Sequence, residues 1–203
     1  GYGAEISDCK PTLKDREETL RKVVNRTGAV FVHPYDNEKI IAGQGTAALE
    51  LLEENPGLNI VMAPVGGGGL LSGTALATNA LAPEARVIAA EPCGADDAAR
   101  SLEAGHIIPS ENPDTVADGL LTSLGQLNFP IIRKHVQCIW TVDDDAIISA
   151  MRLVWERMKI IIEPSSAVCL AAVLKHPEET AGQNIGIIIS GGNVDLDRLP
   201  WLD

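Results

Sequence analysis

Three segments of this 203-residue sequence gather residue types that can do chemistry. In Ala63-Pro64-Val65-Gly66-Gly67-Gly68-Gly69-Leu70-Leu71-Ser72-Gly73 an apolar run meets four consecutive glycines and then small and apolar residues. Consecutive glycines let backbone N–H groups converge on one point. A helix starting there adds the positive end of its dipole, and the combination favours a phosphate group. No Gly-Lys-Ser/Thr follows, so this is not a P-loop, and the G-x-G-x-x-G dinucleotide spacing fits only in part. The plain alternative is a flexible turn, but four glycines carry a chain-entropy cost that an ordinary connector has no need of.

The second segment, Ser190-Gly191-Gly192-Asn193, follows the apolar run 185–189. If that run is a strand, the segment sits at its carboxyl end, where open α/β sheets bind ligands. There a hydroxyl can hydrogen-bond a heterocyclic ring nitrogen while the glycines let the ring approach the backbone; a tight turn is the competing reading. The third segment is Glu91-Pro92-Cys93-Gly94-Ala95-Asp96-Asp97. Two carboxylates six residues apart with a backbone carbonyl between them offer only hard oxygen ligands, which suit magnesium or calcium. Without an ion, close carboxylates repel and raise each other's pKa. The alternative is an acidic turn capping a helix that starts near Asp96. His33, His106, His135 and His176 are scattered, and a Ser-His-Asp hydrolase has no support.

The composition narrows the classes. The net charge is −12 and the pI near 4.7, which argues against nucleic acid and anionic membranes as partners. Hydrophobic residues make up 45% and charged ones 22%, so a packed core is expected rather than disorder. Aromatics are only 3%, so that core must be aliphatic. Cys9, Cys93, Cys138 and Cys169 show no C-x-x-C spacing and read as buried small hydrophobes in a reducing cytoplasm. The sequence opens Gly1-Tyr2-Gly3 with no initiator Met and no signal-like stretch, so a cytoplasmic location, and a fragment of a longer chain, are both expected. No charge lies between Glu54 and Glu84, but Pro64 and the glycines make that stretch strand, loop and helix rather than a membrane span.

Short β-rich runs alternate with longer segments of helical period, which predicts a parallel α/β sheet flanked by helices. Strands are expected at 4–8, 29–32, 58–63, 86–90, 139–142 and 185–189. Helices are expected at 13–25, 40–53, 70–80, 143–157 and 165–174. Gly43 and Gly45 weaken the second of these helices unless something packs closely there. Residues 103–125 read as a long functional loop.

Taken together, Val65-Gly66-Gly67-Gly68-Gly69-Leu70 with Ser72-Gly73, Ala90-Glu91-Pro92, Ala42-Gly43-Gln44-Gly45-Thr46, Glu163-Pro164-Ser165 and Ser190-Gly191-Gly192-Asn193-Val194-Asp195 resemble the pyridoxal-phosphate enzymes of fold type II. The nearest likeness is to the family of serine racemase and the serine, threonine and hydroxyaspartate dehydratases. The resemblance covers almost the whole chain and implies the tryptophan-synthase-β-like α/β fold. Residues 1–28 would end a small domain and 29–203 would form most of the large, cofactor-binding one. It implies racemisation or β-elimination of L-serine or a related β-hydroxy amino acid, starting with removal of the α-proton. The alternatives are a catabolic threonine dehydratase and, from other classes, a non-catalytic phospholigand-binding module or a dinucleotide-dependent enzyme.

The family's cofactor-bearing lysine stands in a Ser-Phe-Lys-x-Arg context, which none of Lys10, Lys14, Lys22, Lys39, Lys134, Lys159 and Lys175 has. The resemblance therefore implies the carboxyl-terminal two-thirds of such an enzyme, inactive by itself. It further implies that Gly66, Gly67, Gly68, Gly69 and Leu70 hold the cofactor phosphate and that Ser190 partners the pyridine nitrogen. Gly119 and Glu163 would border the cofactor, while Arg16 and Thr122 would reach the substrate. Glu91, the Ala95 carbonyl and Asp97 match a divalent-cation site for Mg2+ or Ca2+, with Mn2+ a third candidate. Tyr2, Lys159 and Asn193 match contacts to an activating nucleotide such as ATP, and a homodimer is implied.

Overall fold

The computed structural model describes residues 3–10 and 13–202. The chain divides into two compact units, residues 1–33 and 34–203. In the first, α1 (Leu13–Thr27) carries Asp15 in its first turn and Arg26 in its last, each matched to the helix dipole. Gly28 closes it with φ of 68°. The strands expected at 4–8 and 29–32 are not formed. A strand needs a neighbouring ladder, and among the described residues none pairs with these segments. Val30 and Val32 remain 88% and 64% exposed.

The second unit begins with α2 (Glu38–Glu54), capped by Asn37, whose side chain accepts from the Lys39 and Ile40 N–H groups at 2.9 and 3.3 Å. Next come β1 (Ile60–Pro64), α3 (Gly69–Leu81), β2 (Arg86–Pro92), α4 (Asp97–Ala104), α5 (Asn128–His135) and β3 (Cys138–Val142). The unit finishes with α6 (Asp144–Met158), α7 (Pro164–Lys175), the short α8 (Pro177–Thr180) and β4 (Ile185–Ile187). The four strands form one parallel sheet in the order β3-β2-β1-β4. Residues 105–127 hold only a single 3-10 turn, Asp118–Leu120, as the Pro- and Gly-rich sequence requires. The sequence pattern left α5 unmarked, because its eight residues are too few for a helical period to stand out.

Helices cover both faces of the sheet, which explains why β1 reads as an unbroken apolar run with all five residues buried. Alternate strand residues divide between two cores. Ile60, Met62, Ile88, Ala90 and Val142 pack with Ile147, Met151 and Val154 of α6 and Ala167, Val168 and Ala171 of α7. Ala63, Val87 and Ala89 pack with Leu71 and Ala75 of α3, Ala98 of α4 and Ile132 of α5. The glycine that weakened the reading of α2 has a packing reason. A Cβ on Gly45 would stand 3.0 Å from the Gly73 carbonyl of α3, and one on Gly73 would collide with Gly45 N and Ile41 O. The two backbones touch there, and only glycine permits it.

All four cysteines are free, but only Cys169 is buried; Cys138 is half-buried, and Cys9 and Cys93 are exposed. The reading of all four as core residues is therefore corrected: Cys9 lies in the unpaired segment of the first unit and Cys93 on the acidic turn. Among the described residues no helix is long and apolar enough to cross a membrane.

Candidate functional site

The strands are parallel, so their carboxyl ends share one edge of the sheet, and β1 and β4 are neighbours. Their loops, Gly66–Gly69 and Ser190–Asn193, leave that edge together. Gly66 to Gly69 are all buried. Gly68 sits at the N-cap of α3 with φ of 93°, the one position in the run that demands a left-handed backbone. Two carbonyls of the loop are occupied: Gly67 O accepts from Gly125 N at 3.0 Å and Asn128 Nδ2 at 3.1 Å, and Gly68 O accepts from Ser72 N at 2.8 Å. No main-chain carbonyl among the described residues takes the N–H groups of Gly66, Gly67 or Gly68. Gly69, Leu70 and Leu71 form the first turn of α3, whose N–H groups lack helical partners. Buried N–H groups without partners are costly, and an anion at the positive end of α3 would satisfy them. The residues present thus fit a phosphate group.

The glycines are held from behind by protein. A Cβ on Gly67 would strike the Tyr35 ring, and one on Gly68 would come within 2.9 Å of Asn128 and Ile132. Side chains at these positions would therefore collide with Tyr35, Leu124, Asn128 and Ile132. Tyr35, Asp36 and Asn128 carry this support, and sequence reading missed them. Asp36 accepts from Gln126 N at 3.0 Å and Leu127 N at 2.8 Å, while Asn128 Nδ2 bonds Tyr35 O at 3.1 Å. No motif marks these three residues, because they meet only through tertiary structure.

From Gly66 a continuous set of contacts leads to Ser190. A Cβ on Gly66 would stand 3.1 Å from Leu120 Cα and 3.4 Å from both Gly119 O and Thr122 Oγ1, so the segment 119–122 lies against the loop. Gly119 N donates to Ser165 Oγ at 3.0 Å. Next along the chain, Ser166 Oγ lies 3.0 Å from Ser190 Oγ and 2.6 Å from both Gly191 O and Gly191 N. Glu163, the N-cap of α7, accepts from Asn193 N at 2.9 Å and donates its own N–H to Gly191 O at 3.1 Å. The structure therefore gathers Gly66–Gly69, Leu70, Gly119, Thr122, Glu163, Ser190 and Asn193, with Ser165 and Ser166 as links.

Lys159 is not part of this set. Lys159 ends α6 with φ of 61° and turns its Nζ to Glu156 O at 2.8 Å, a helix-end contact. Arg16 is exposed on α1 in the first unit. Tyr2 falls outside the described residues.

Beyond β2 the acidic turn presents a different environment. Glu91 is fully buried and accepts from Ala98 N and Ala99 N, both at 2.9 Å, so it caps α4 from the strand. Asp96 holds the N-cap position without a side-chain cap bond. Asp97 is 1% exposed, and neither of its oxygens receives a hydrogen bond of ordinary geometry, although the Ser110 side chain lies near enough to favour its charged form. Burial pushes Glu91 up to about 8, against the pull of the Ala99 and Ala98 N–H groups, and pushes Asp97 up to about 6. Repulsion from Asp97 raises Glu91 further, as expected of close carboxylates, but by less than burial does. Two unsatisfied oxygens beside a second buried carboxylate fit a hard cation. Among the described residues no group of three or more His, Cys, Asp and Glu side chains is arranged for a metal. An ion here would therefore draw on two carboxylates, the Ala95 carbonyl and water.

Comparison with known proteins decides the family. A model of the pyridoxal-phosphate dependent enzymes matches residues 1–191. The chain belongs to this family. It is 54% identical over 200 residues to beta-hydroxyaspartate dehydratase of Paracoccus denitrificans, covering 98% of this chain and 64% of that one. It is 51% identical over 204 residues to serine racemase of Dictyostelium discoideum, covering 98% and 63%. The crystal structure of serine racemase from that organism superposes with a TM-score of 0.89 over 96% of this chain and 63% of its own. The crystal structure of a T.th. threonine deaminase gives 0.90 at 48% identity, covering 96% and 65%. The chain thus spans a little under two thirds of the length of the relatives it matches, and it shares the fold-type II architecture with them.

Proposed function

We propose that this chain supplies the phosphate- and ring-holding part of a pyridoxal-phosphate-dependent racemase or dehydratase acting on L-serine or a related β-hydroxy amino acid. The observation that carries the reading is the buried Gly66–Gly69 loop, whose Gly67 and Gly68 carbonyls are occupied while, among the described residues, the N–H groups of Gly66, Gly67 and Gly68 find no main-chain partner. Gly66 to Gly69 and Leu70 hold the phosphate. Gly119 and the Ser190–Gly191 turn flank the ring, and Glu163 fastens that turn. Bound pyridoxal phosphate supplies an electron sink for the charge left at the substrate α-carbon when its proton is removed. Ser190 meets the ring nitrogen as a neutral hydroxyl, which holds it protonated less firmly than a carboxylate would. Thr122 offers its hydroxyl beside Gly66, toward the substrate, and Arg16 takes the substrate carboxylate.

Glu91, the Ala95 carbonyl and Asp97 bind Mg2+, Ca2+ or Mn2+, which relieves the buried charge and joins β2 to α4. Lys159 and Asn193, with Tyr2, contact a nucleotide effector such as ATP. The homodimer, the cytoplasmic location, and the division into a small domain ending at residue 28 and a large one from 29 onward belong to the same reading. No lysine of this chain has the cofactor-bearing context, so the chain alone binds without turnover.

The test is direct. The polypeptide carrying this sequence should bind pyridoxal phosphate, read by absorbance, with inorganic phosphate competing. A bound phosphate located away from Gly66–Gly69 would refute the reading. Assays with L-serine, hydroxyaspartate and L-threonine, followed as 2-oxo acid and as D-amino acid, separate racemase, dehydratase and threonine dehydratase.

A further inference from the structure

We propose that Ser166 is a positioning residue for Ser190, fixing that hydroxyl and letting it change between donating and accepting. The proposal rests on the reading of Ser190 as partner of the ring nitrogen. Ser166 is 2% exposed in the first turn of α7, between Ser165 and Ala167, both buried. Among the described residues it is the one side chain that hydrogen-bonds to Ser190, which is itself exposed at the loop surface.

A hydroxyl has one proton and two lone pairs, and Ser166 Oγ has three partners. It donates to Gly191 O at 2.6 Å, accepts from Gly191 N at 2.6 Å, and faces Ser190 Oγ at 3.0 Å. While its proton is on Gly191 O, its remaining lone pair can only receive the Ser190 proton, so Ser190 presents lone pairs outward. When Ser190 turns its proton to an unprotonated ring nitrogen, the Ser166 proton can turn to the oxygen of Ser190. Gly191 O is not stranded by that exchange, because Glu163 N also donates to it at 3.1 Å. Every polar group keeps a partner in both arrangements. In the second, Ser166 to Ser190 to the ring forms a chain of hydrogen bonds that polarise one another.

The experiment uses the polypeptide carrying this sequence, with pyridoxal phosphate as the probe. The dissociation constant and the absorbance maximum of the bound cofactor are measured for the wild type, S166A, S190A and the double variant. Each single substitution should weaken binding by about 2- to 12-fold, the range a hydrogen bond of this kind supports. S166A should also move the absorbance maximum in the same direction as S190A. The double variant should bind no more than about 2-fold worse than S190A, because Ser166 acts through Ser190. An equal loss from S166A in both backgrounds would mean a purely structural role and would overturn the proposal, as would an S166A variant that binds like the wild type while S190A does not. A silent S190A would instead remove Ser190 from the site, and the proposal with it. If melting shows that S166A does not fold, S166C keeps the side-chain size with a weak S–H donor and carries the same comparison.

Discussion

The loop after β1 and the turn after β2 leave adjacent strands at the same edge of the sheet, yet they are built for opposite charges. In Gly66–Gly69 the buried groups are neutral N–H donors backed by a helix dipole, and the carbonyls of Gly67 and Gly68 are already taken by the surrounding protein. In Glu91–Asp97 the buried groups are two carboxylates, one satisfied by α4 and one with neither oxygen hydrogen-bonded. The first arrangement costs less when empty, because each N–H is only a dipole. The second is expensive, because burial opposes each full charge. An anion should therefore dock on the first as on a finished surface, whereas a cation on the second should change the stability of the fold.

The largest effect comes from damaging the finished surface. Gly67→Val would drive a β-branched side chain into the Tyr35 ring and should cost about 3 kcal/mol or more by overpacking. Urea unfolding measures that loss, and phosphate binding should vanish with it. Gly43→Ala is the control: a Cβ there meets nothing within 4 Å, so in the interior of α2 it should stabilise by about 1 kcal/mol. Equal behaviour of the two variants would show that the support from Tyr35 and Asn128 is unimportant.

The metal response should be next in size. Magnesium or calcium at roughly a hundredfold excess over its dissociation constant should stabilise the polypeptide by about 2.7 kcal/mol, seen as a rise in melting temperature that chelator reverses. Asp97→Asn should erase that response. In chelator at pH 8 it should also melt at or above the wild type, since it removes an ionised group that burial disfavours. A wild type that melts identically with chelator and with metal would leave Glu91 as a helix cap and nothing more.

How far each region could be read from sequence follows from the same contrast. The glycine run announces itself because four consecutive glycines carry a chain-entropy cost that an ordinary connector has no need of, and the alternation of apolar runs yields the sheet and most helix bounds within one or two residues. The support behind the glycines was invisible: Tyr35, Asp36 and Asn128 come from distant positions and follow no period. Ser166 stood beside the recognised Glu163-Pro164-Ser165, yet its role depends on where β4 delivers Gly191. At 4–8 and 29–32 the reading erred in the other direction, because β-propensity describes side chains and a strand needs a neighbour. The acidic turn was legible as oxygen ligands, but the dominance of burial over repulsion needed the packing of Glu91 between β2 and α4.

The pH dependence sharpens the comparison by a smaller amount. The folded-state pKa values of Glu91 and Asp97, about 8 and about 6, lie above their ordinary values of 4.5 and 3.8. Folding therefore favours their protonated forms. Their contribution to stability is present below about pH 4 and is lost as pH rises through about 6 and then about 8. A metal ion competes with those protons, so its stabilising effect should grow over the same interval. Melting temperatures with and without magnesium, compared at about pH 5.5 and pH 8, should diverge at the higher pH in the wild type and coincide in Asp97→Asn. A gap that is the same at both pH values would mean that the ion binds elsewhere.

The smallest effect belongs to Ser190→Ala, and its size is itself the argument. Ser190 is exposed, and among the described residues its hydroxyl bonds only to Ser166, so its removal opens no cavity and leaves Gly191 held by Ser166 and Glu163. The folded state without ligand should therefore lose little, within about 0.5 kcal/mol as for other surface substitutions. What disappears is a neutral hydrogen bond to the ring, about 0.5–1.5 kcal/mol, so pyridoxal phosphate should bind roughly 2- to 12-fold more weakly. Inorganic phosphate, which has no ring, should bind as before. That split separates the two ends of the ligand. Equal weakening for pyridoxal phosphate and inorganic phosphate would mean that Ser190 shapes the glycine loop instead of meeting the ring. No weakening for either would place the ring somewhere other than the β4 turn.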